Sequence, residues 1–199
     1  MRSLFPSFVP EFIIMSCDPA QVYQPEADTF LLLEAAQAEV RPGDRVLEVG
    51  TGSGRIAAAL VRDCAVVATD INPHAVFCAR EEGLDVVRCD LFSGIRGTFD
   101  LVLFNPPYLP TRPEERIDDW LEYALDGGVT GRDVIGRFAA SAGTVLAPGG
   151  RILLLVSSLT GLAEVVGLFA GHGFAAVPVL RRTVEDEELV VLRITRNER

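Results

Sequence analysis

From residue 28 onward, short apolar runs alternate with stretches of helical periodicity, and turn-forming residues separate one from the next. Asp28 and Thr29 offer a cap to an apolar run from Phe30 to Ala38 closed by Pro42-Gly43, which predicts a first helix. Arg45–Val49 and Ala65–Thr69, rich in β-branched and apolar residues, predict two buried strands with a helix over Arg55–Val61 between them. Asn72-Pro73 supplies a cap and a first-turn proline for a helix through about Glu82. Three further strands are predicted at Asp85–Cys89, Phe99–Phe104 and Arg151–Ser157, behind turn signals at Gly83, Gly97 and Pro148-Gly149-Gly150. A helix near Leu159–Ala170 follows. Two last strand-like runs, Phe174–Leu180 and Glu188–Ile194, flank the polar stretch Arg181–Glu187, the spacing of a hairpin packed on the sheet edge.

Strands alternating with helices imply right-handed crossovers. The seven runs together predict an α/β, doubly wound, mostly parallel seven-stranded sheet with a C-terminal antiparallel hairpin. Ligands of such a sheet sit at the carboxyl ends of its strands. A chain of 199 residues, 49% hydrophobic and 23% charged, is globular in composition and of a size for one domain, read as residues 22–199. Residues 1–21 read as an N-terminal arm. Its apolar run Leu4–Ile14 is interrupted by Pro6 and Pro10 and is too short to span a bilayer, so no membrane partner is expected. An over-extended gene start, with Met15 as the true first residue, is a second reading of the same arm.

The formal net charge is −10, which opposes a sequence-independent grip on phosphate backbones and makes direct nucleic-acid binding an unfavourable expectation. Every basic residue is Arg, which fits either a genomic bias or selection for Arg chemistry. Cys17, Cys64, Cys78 and Cys89 show no C-x-x-C and no His at ligand spacing, so neither a zinc site nor a disulfide framework is expected and a reducing cytoplasm is the simplest home. His74 and His172 read as surface or helix-end residues.

The first strand runs straight into Glu48-Val49-Gly50-Thr51-Gly52-Ser53-Gly54 and then a helix, a context in which backbone can approach a nucleotide-like ligand closely. A dinucleotide fingerprint would need glycine at position 55, where Arg55 stands, and no Lys follows to make a phosphate-gripping loop. Such a loop argues against NAD or FAD and suits a ligand without a pyrophosphate. Asp70 ends the second strand, placed to accept from a ribose diol. Asp90 ends the third, placed to accept from the exocyclic amine of an adenine, with Ile71 and Leu91 as apolar ring faces. Each acid alone has a bland reading as a strand end or turn cap; three after successive strands weaken it.

The fourth strand delivers Asn105-Pro106-Pro107-Tyr108 to the same edge. The prolines fix the backbone and remove two N–H donors, leaving acceptors beside the Asn105 side-chain oxygen. Such a site suits an NH2 group, held planar and turned toward an electrophilic methyl, with Tyr108 covering its flat face.

These motifs resemble the class I S-adenosylmethionine-dependent methyltransferases that act on planar nitrogens, and more closely the HemK-like glutamine methyltransferases in their short archaeal and eukaryotic form. The resemblance extends to Val22-Tyr23-Gln24-Pro25-Glu26-Ala27-Asp28-Thr29-Phe30, to Gly127-Gly128-Val129-Thr130-Gly131-Arg132-Asp133-Val134 and to Glu188–Arg193. It implies the Rossmann-like methyltransferase fold, S-adenosylmethionine as cofactor, and contacts to it from Thr29, Glu48, Gly50, Gly52, Asp70, Ile71, Asp90, Leu91 and Asn105. It implies further that Asn105, Pro106, Pro107 and Tyr108 grip the target, with Asn105, Pro106 and Tyr108 closest to the chemistry. The expected substrate is the glutamine of the Gly-Gly-Gln motif in a class I translation release factor. One departure falls at Gln24, where the family's usual Tyr-Glu-Pro-Ala-Glu-Asp has an acid; another acid stands at Glu26.

Members of this short type often work with a small zinc-binding activator subunit, and only Leu91–Thr98 connects the third and fourth strands, leaving an edge at Asp85–Cys89 for such a partner. The acidic loop Leu109–Asp126 reads either as a cover over the site that greets a basic partner or as a solvated helix with Trp120 and Leu121 tucked inward. Arg132 reads as an anchor for that loop or as part of a plain helix start. The competing activities are an amino methyltransferase of adenine, cytosine or guanine in nucleic acid and a protein lysine methyltransferase. A catalytically silent cofactor-binding scaffold is disfavoured by the presence of Asn105 and the glycines.

Overall fold

The computed structural model describes residues 16–117 and 119–197. Seven strands form one sheet: β1 (Arg45–Val49), β2 (Ala65–Asp70), β3 (Val86–Arg88), β4 (Phe99–Phe104), β5 (Leu146–Ser157), β6 (Phe174–Val184) and β7 (Glu187–Arg196). Their order is β3-β2-β1-β4-β5-β7-β6, with β7 antiparallel to both neighbours and the other pairs parallel. Five helices cover it: α1 (Ala27–Glu39), α2 (Arg55–Leu60), α3 (Pro73–Glu81), α4 (Asp133–Ser141) and α5 (Leu162–Gly171). The predicted doubly wound fold and its terminal hairpin are both present.

The period of two along the strands builds two cores. Val46, Leu101, Leu103, Leu153 and Val191 pack with Leu31, Leu32, Ile56 and Val76 on the face covered by α1, α2 and α3. Leu47, Val102, Phe104, Ile152 and Leu154 pack with Ile135, Phe138, Val165 and Phe169 on the face covered by α4 and α5. Phe138 sits fully buried in the second core, its ring 4.7 Å from that of Phe104 and 5.1 Å from that of Phe92. That stack fixes the end of β4 one residue before Asn105.

Several boundaries differ from the sequence reading. Asp28 and Thr29 do not cap α1; both lie in its first turn, behind Glu26 at the cap position, which makes no side-chain cap bond. β3 is shorter than Asp85–Cys89, and β5 begins five residues before Arg151 because the chain pairs Leu146 with Phe99 before the irregularity at Pro148-Gly149-Gly150. The stretch Arg181–Glu187 is mostly strand: on an exposed edge polar residues cost nothing, and Arg181 pairs with Glu188 while Arg182 pairs with Glu34. The hairpin turn shrinks to Glu185-Asp186, and the hairpin extends the sheet. Of helix α4 the sequence reading has only the start, the helix-start alternative at Arg132, which is its cap position.

Of the arm read over residues 1–21, residues 1–15 lie outside the described residues. Residues 16–21 are built into the fold: Asp18 caps a turn of 3-10 helix over Pro19–Gln21. Most unlike the expectation from cysteine spacing, Cys17 and Cys78 form a disulfide. Separated by 61 residues in sequence, they meet because that turn packs beside α3, a proximity no local spacing encodes. No helix among the described residues is long and apolar enough to cross a membrane.

Candidate active site

The strand order reverses between β1 and β4, and at the carboxyl ends of the strands there lies a cavity of about 1100 Å³. All of Thr29, Glu48, Gly50, Gly52, Asp70, Ile71, Asp90, Leu91, Asn105, Pro106, Pro107 and Tyr108 line it. The residues singled out from sequence thus converge on one space.

Its floor is the turn between β1 and α2. Gly50, Gly52 and Gly54 have φ of +64°, +55° and +81°, backbone that L side chains rarely adopt. A Cβ on Gly54 would also stand 2.7 Å from Leu84, so the third glycine serves helix packing, while Gly50 and Gly52 face the cavity. Asp70 clamps the turn: its two oxygens accept from the Gly52 N–H at 2.9 Å and the Asn72 N–H at 2.8 Å. Burial pushes its carboxyl above the usual range despite those bonds. Glu48, with 4% of its surface exposed, accepts on one oxygen from Thr51 Oγ1 at 2.7 Å and the Ala57 N–H at 2.9 Å. Burial drives its carboxyl up to about 8, the two donors oppose the rise, and the Asp70 charge adds to it.

Asp90 differs from the other two acids. It is half-buried and ion-paired to Arg137 of α4, which also lines the cavity. Next to it Leu91 has φ of +49°, a non-glycine residue held in the left-handed region.

Across the cavity, Asn105 Oδ1 is buried and has no hydrogen-bond partner. An unmet acceptor in a protein interior is costly, and one that lines a cavity is open to a donor on a ligand. Tyr108 O–H donates to Asp28 Oδ2 at 3.4 Å, and Tyr23 O–H donates to the same oxygen at 3.0 Å. Burial and then the Asp28 charge push both phenols upward, so both stay protonated donors. Asp28, with 3% exposure, is visible in sequence as a helix cap and as a member of the Val22–Phe30 motif, but its bonds to Tyr23 and Tyr108, 5 and 80 residues away, are not.

The segment 127–134 acts as a buttress. A Cβ on Gly131 would fall 2.4 Å from the Tyr108 carbonyl oxygen, and one on Gly128 would fall 2.1 Å from the Asp133 carboxylate. Leu109 N–H donates to Leu125 O, and Gly127 N–H donates to Leu109 O, both at 3.0 Å, tying the Asn105–Tyr108 segment to this turn. Arg132 reaches Thr160 O with its guanidinium, so it joins α4 to the turn before α5 rather than anchoring the acidic loop. Among its described residues that loop forms no α-helix. It makes turns of 3-10 helix at Pro113–Glu115 and Glu122–Ala124 and lines the cavity with Ile117 and Asp119–Asp126, the covering arrangement. Trp120 is half-buried, with the Arg88 guanidinium 5.6 Å from its ring centre.

The donor requirement of the cavity can be stated from these groups. Three carboxyl groups and one orphan carboxamide oxygen present acceptors, and the glycine turn presents backbone at close range. S-adenosylmethionine offers an ammonium, ribose hydroxyls and an adenine amine as donors, and the residues present fit it.

Comparison with known proteins shows the family and the fold. The methyltransferase small domain family matches residues 24–118. A Methanocaldococcus jannaschii protein carrying the provisional name of a protein N5-glutamine methyltransferase is 40% identical over 184 residues, 88% of this chain and 92% of that protein. Mouse methyltransferase HEMK2 is 36% identical, over 88% of this chain and 90% of its own. Among solved structures, a chain of the Encephalitozoon cuniculi (E. cuniculi) Mtq2–Trm112 complex, responsible for methylation of the eRF1 termination factor, superposes with a TM-score of 0.75 at 30% identity, covering 89% of this chain and 99% of that one. The ribosomal protein L11 methylase of Lactobacillus delbrueckii, at 20% identity and a TM-score of 0.68, shares the fold.

Proposed function

This chain belongs to the HemK-like glutamine methyltransferases, and we propose that it methylates the side-chain nitrogen of the glutamine in the Gly-Gly-Gln motif of a class I translation release factor. The observation that carries the reading is Asn105 Oδ1: a buried acceptor without a partner, beside two prolines that donate nothing. A primary amide brings two N–H donors in one plane, and such a pocket takes them.

S-adenosylmethionine, when bound, supplies an electrophilic methyl on a sulfonium. Asp70 is proposed to accept from the ribose hydroxyls, with a lone pair on each oxygen left after the Gly52 and Asn72 bonds. Asp90 is proposed to take the adenine amine on the oxygen that Arg137 leaves, with Ile71 and Leu91 against the ring. Thr29, Glu48, Gly50 and Gly52 are proposed to line the remainder. An amide nitrogen is a poor nucleophile, so the chain's contribution is placement. Asn105 Oδ1 accepts one amide hydrogen, a backbone carbonyl of the adjoining proline segment accepts the other, and the nitrogen lone pair is thereby aimed into the cavity. Tyr108, kept as a phenol and tethered to Asp28, closes the flat side of the amide.

For partners, a small zinc-binding activator subunit is proposed to pair with β3, the last strand of the sheet at that side, where Val87 is 41% exposed and no helix lies between β3 and β4. That proposal fails if the purified chain alone is monomeric and fully active. A cytoplasmic location is proposed with it, as release factors require.

The test is mass spectrometry of a release factor incubated with S-adenosylmethionine and the chain, with and without activator, and Asn105→Ala as control. One methyl gained on the Gly-Gly-Gln glutamine, and lost in the control, is the expected result. Label transferred instead into RNA or DNA overturns the substrate and leaves the cofactor site standing.

A further inference from the structure

The disulfide that cysteine spacing did not foretell holds one wall of the cavity. Residues 16–22 run as a strap beside the carboxyl end of β2. At one end Cys17 is bonded to Cys78 of α3. At the other, Gln21 is used twice: its carbonyl accepts from Asn72 Nδ2 at 2.7 Å, and its side-chain Oε1 accepts from the Trp120 N–H at 3.0 Å. Asn72 is the residue whose N–H donates to Asp70, and Trp120 belongs to the covering loop. Pro19 and Ala20 line the cavity between these anchors. Strap residues Ser16, Asp18, Pro19 and Ala20 are all exposed and only Val22, at the far end from Cys17, is buried, so little apolar burial holds the Cys17 end down. Hydrogen bonds of ordinary length contribute modestly against competition from water. The covalent link is the strongest of the anchors.

We propose that the Cys17–Cys78 bond is a redox-operated clasp that sets the affinity of the cavity for its cofactor. The proposal rests on the reading of the cavity as the S-adenosylmethionine site. Both cysteines are half-buried and within reach of a small dithiol, and disulfides that occur in a reducing compartment are mostly transient or sensing ones. The step is a two-electron exchange. A dithiol reductant's thiolate attacks one sulfur and releases the other as a thiolate. Its second thiol then displaces the mixed disulfide, leaving two protonated cysteines and the reductant as a cyclic disulfide. With the clasp open, the strap samples positions away from the cavity, and the cofactor must order it again through Gln21 on binding.

The test uses the full chain, oxidised and then treated with dithiothreitol, with thiols counted in each state. Of the four cysteines Cys64 and Cys89 are free, so the count should rise from two to four. Calorimetric titration with S-adenosylhomocysteine should show Kd rising roughly tenfold on reduction, the cost of re-ordering a short segment. Hydrogen exchange in residues 16–22 should quicken, and both changes should reverse on reoxidation. Cys78→Ser should give the reduced Kd and ignore dithiothreitol. A count that rises to four with Kd and exchange unchanged overturns the clasp, as does a count of four before any reductant is added. Absence of S-adenosylhomocysteine binding in both states overturns the cavity reading instead. Methylation of the release factor at saturating cofactor is read separately and reports on the proposed function alone.

Discussion

The two halves of the cavity are built on opposite principles. On the β1–β2 side the polar groups are already satisfied: Asp70 holds two backbone donors, Glu48 holds two more, and three glycines at positive φ shape the turn between them. On the β4 side the central group is unsatisfied: Asn105 Oδ1 is buried with nothing to accept from. The first half is rigid before any ligand arrives and can add bonds to one at little ordering cost. The second retains an unmet acceptor whose partner comes only with the substrate, so its contribution falls on the reacting amide. Substitutions should therefore separate into those that change turnover and those that change cofactor affinity.

The largest effect is expected at the unsatisfied half. Asn105→Ala should lower turnover by about 10²–10³-fold, the size seen when one well-placed polar group is removed from an active site. The S-adenosylhomocysteine Kd should change far less. Single-turnover kinetics and calorimetry on the same preparation make the comparison. Equal losses in both would erase the division between the halves.

Gly131→Ala tests the same half from behind. The added methyl would stand 2.4 Å from the Tyr108 carbonyl oxygen, at a residue whose φ of +71° already disfavours a side chain, so the Asn105–Tyr108 segment must shift. A displacement near 1 Å costs on the order of 100-fold in rate when geometry is the source of catalysis. Cofactor affinity should stay within a few-fold, since Gly131 has no place in the glycine turn. A variant with normal turnover would show that the segment tolerates movement.

This division also decides how much was legible in the sequence. The satisfied half is local: Glu48 through Gly54 is one continuous stretch, and Asp70 ends the adjacent strand, so a linear reading finds it. Strand β4 falls where the buried run Phe99–Phe104 sits between Gly97 and Asn105-Pro106, and its bounds match the sequence reading. The supports of the other half are distant in sequence. Asp28 reaches Tyr108 across 80 residues and Gln21 reaches Trp120 across 99, and the strap that braces the β2 side depends in the same way on Cys17 meeting Cys78 across 61. None of these pairs follows from spacing. Helix α4 shows only its start, at Arg132, for a different reason, since Gly136 within it weakens the intrinsic preference of the run that follows. The glycines of the 127–131 turn are visible in sequence, but their work against the Tyr108 carbonyl is a property of the fold.

On the satisfied side, Asp70→Asn should raise the cofactor Kd roughly thirtyfold, the range for hydrogen bonds to a charged group, with turnover at saturating cofactor little changed. Asp90→Asn should cost less, only a few-fold, because that carboxylate is 42% exposed and already shared with Arg137. Calorimetric titrations of the two variants rank the acids. An Asp90 effect larger than that of Asp70 would place the tighter grip at the exposed end and reverse the comparison.

The last effect is the most specific to the satisfied half, and it follows from Glu48. Its carboxyl is raised from 4.5 to about 8 in the folded chain, so between those values the native state binds a proton that the unfolded chain has lost. Fewer protons on the unfolded state means that stability falls as pH rises through this window, by at most about 1.4 kcal/mol per pH unit. The contribution is fully present below the unfolded value and is lost once pH passes about 8. Glu48→Gln keeps a side-chain oxygen for Thr51 and Ala57 and removes the ionisation, so its stability should lack this slope and exceed wild type at the alkaline end. Urea unfolding at pH 5, 7 and 9 measures the difference. The same proton should appear on ligand binding: at pH 7 a group with this value is about nine-tenths protonated, so an incoming ammonium displaces nearly one proton in wild type and none from this site in Glu48→Gln. Titration calorimetry in two buffers of different ionisation enthalpy counts it. Equal proton release by the two proteins would mean that Glu48 shapes the glycine turn without meeting the ligand's charge.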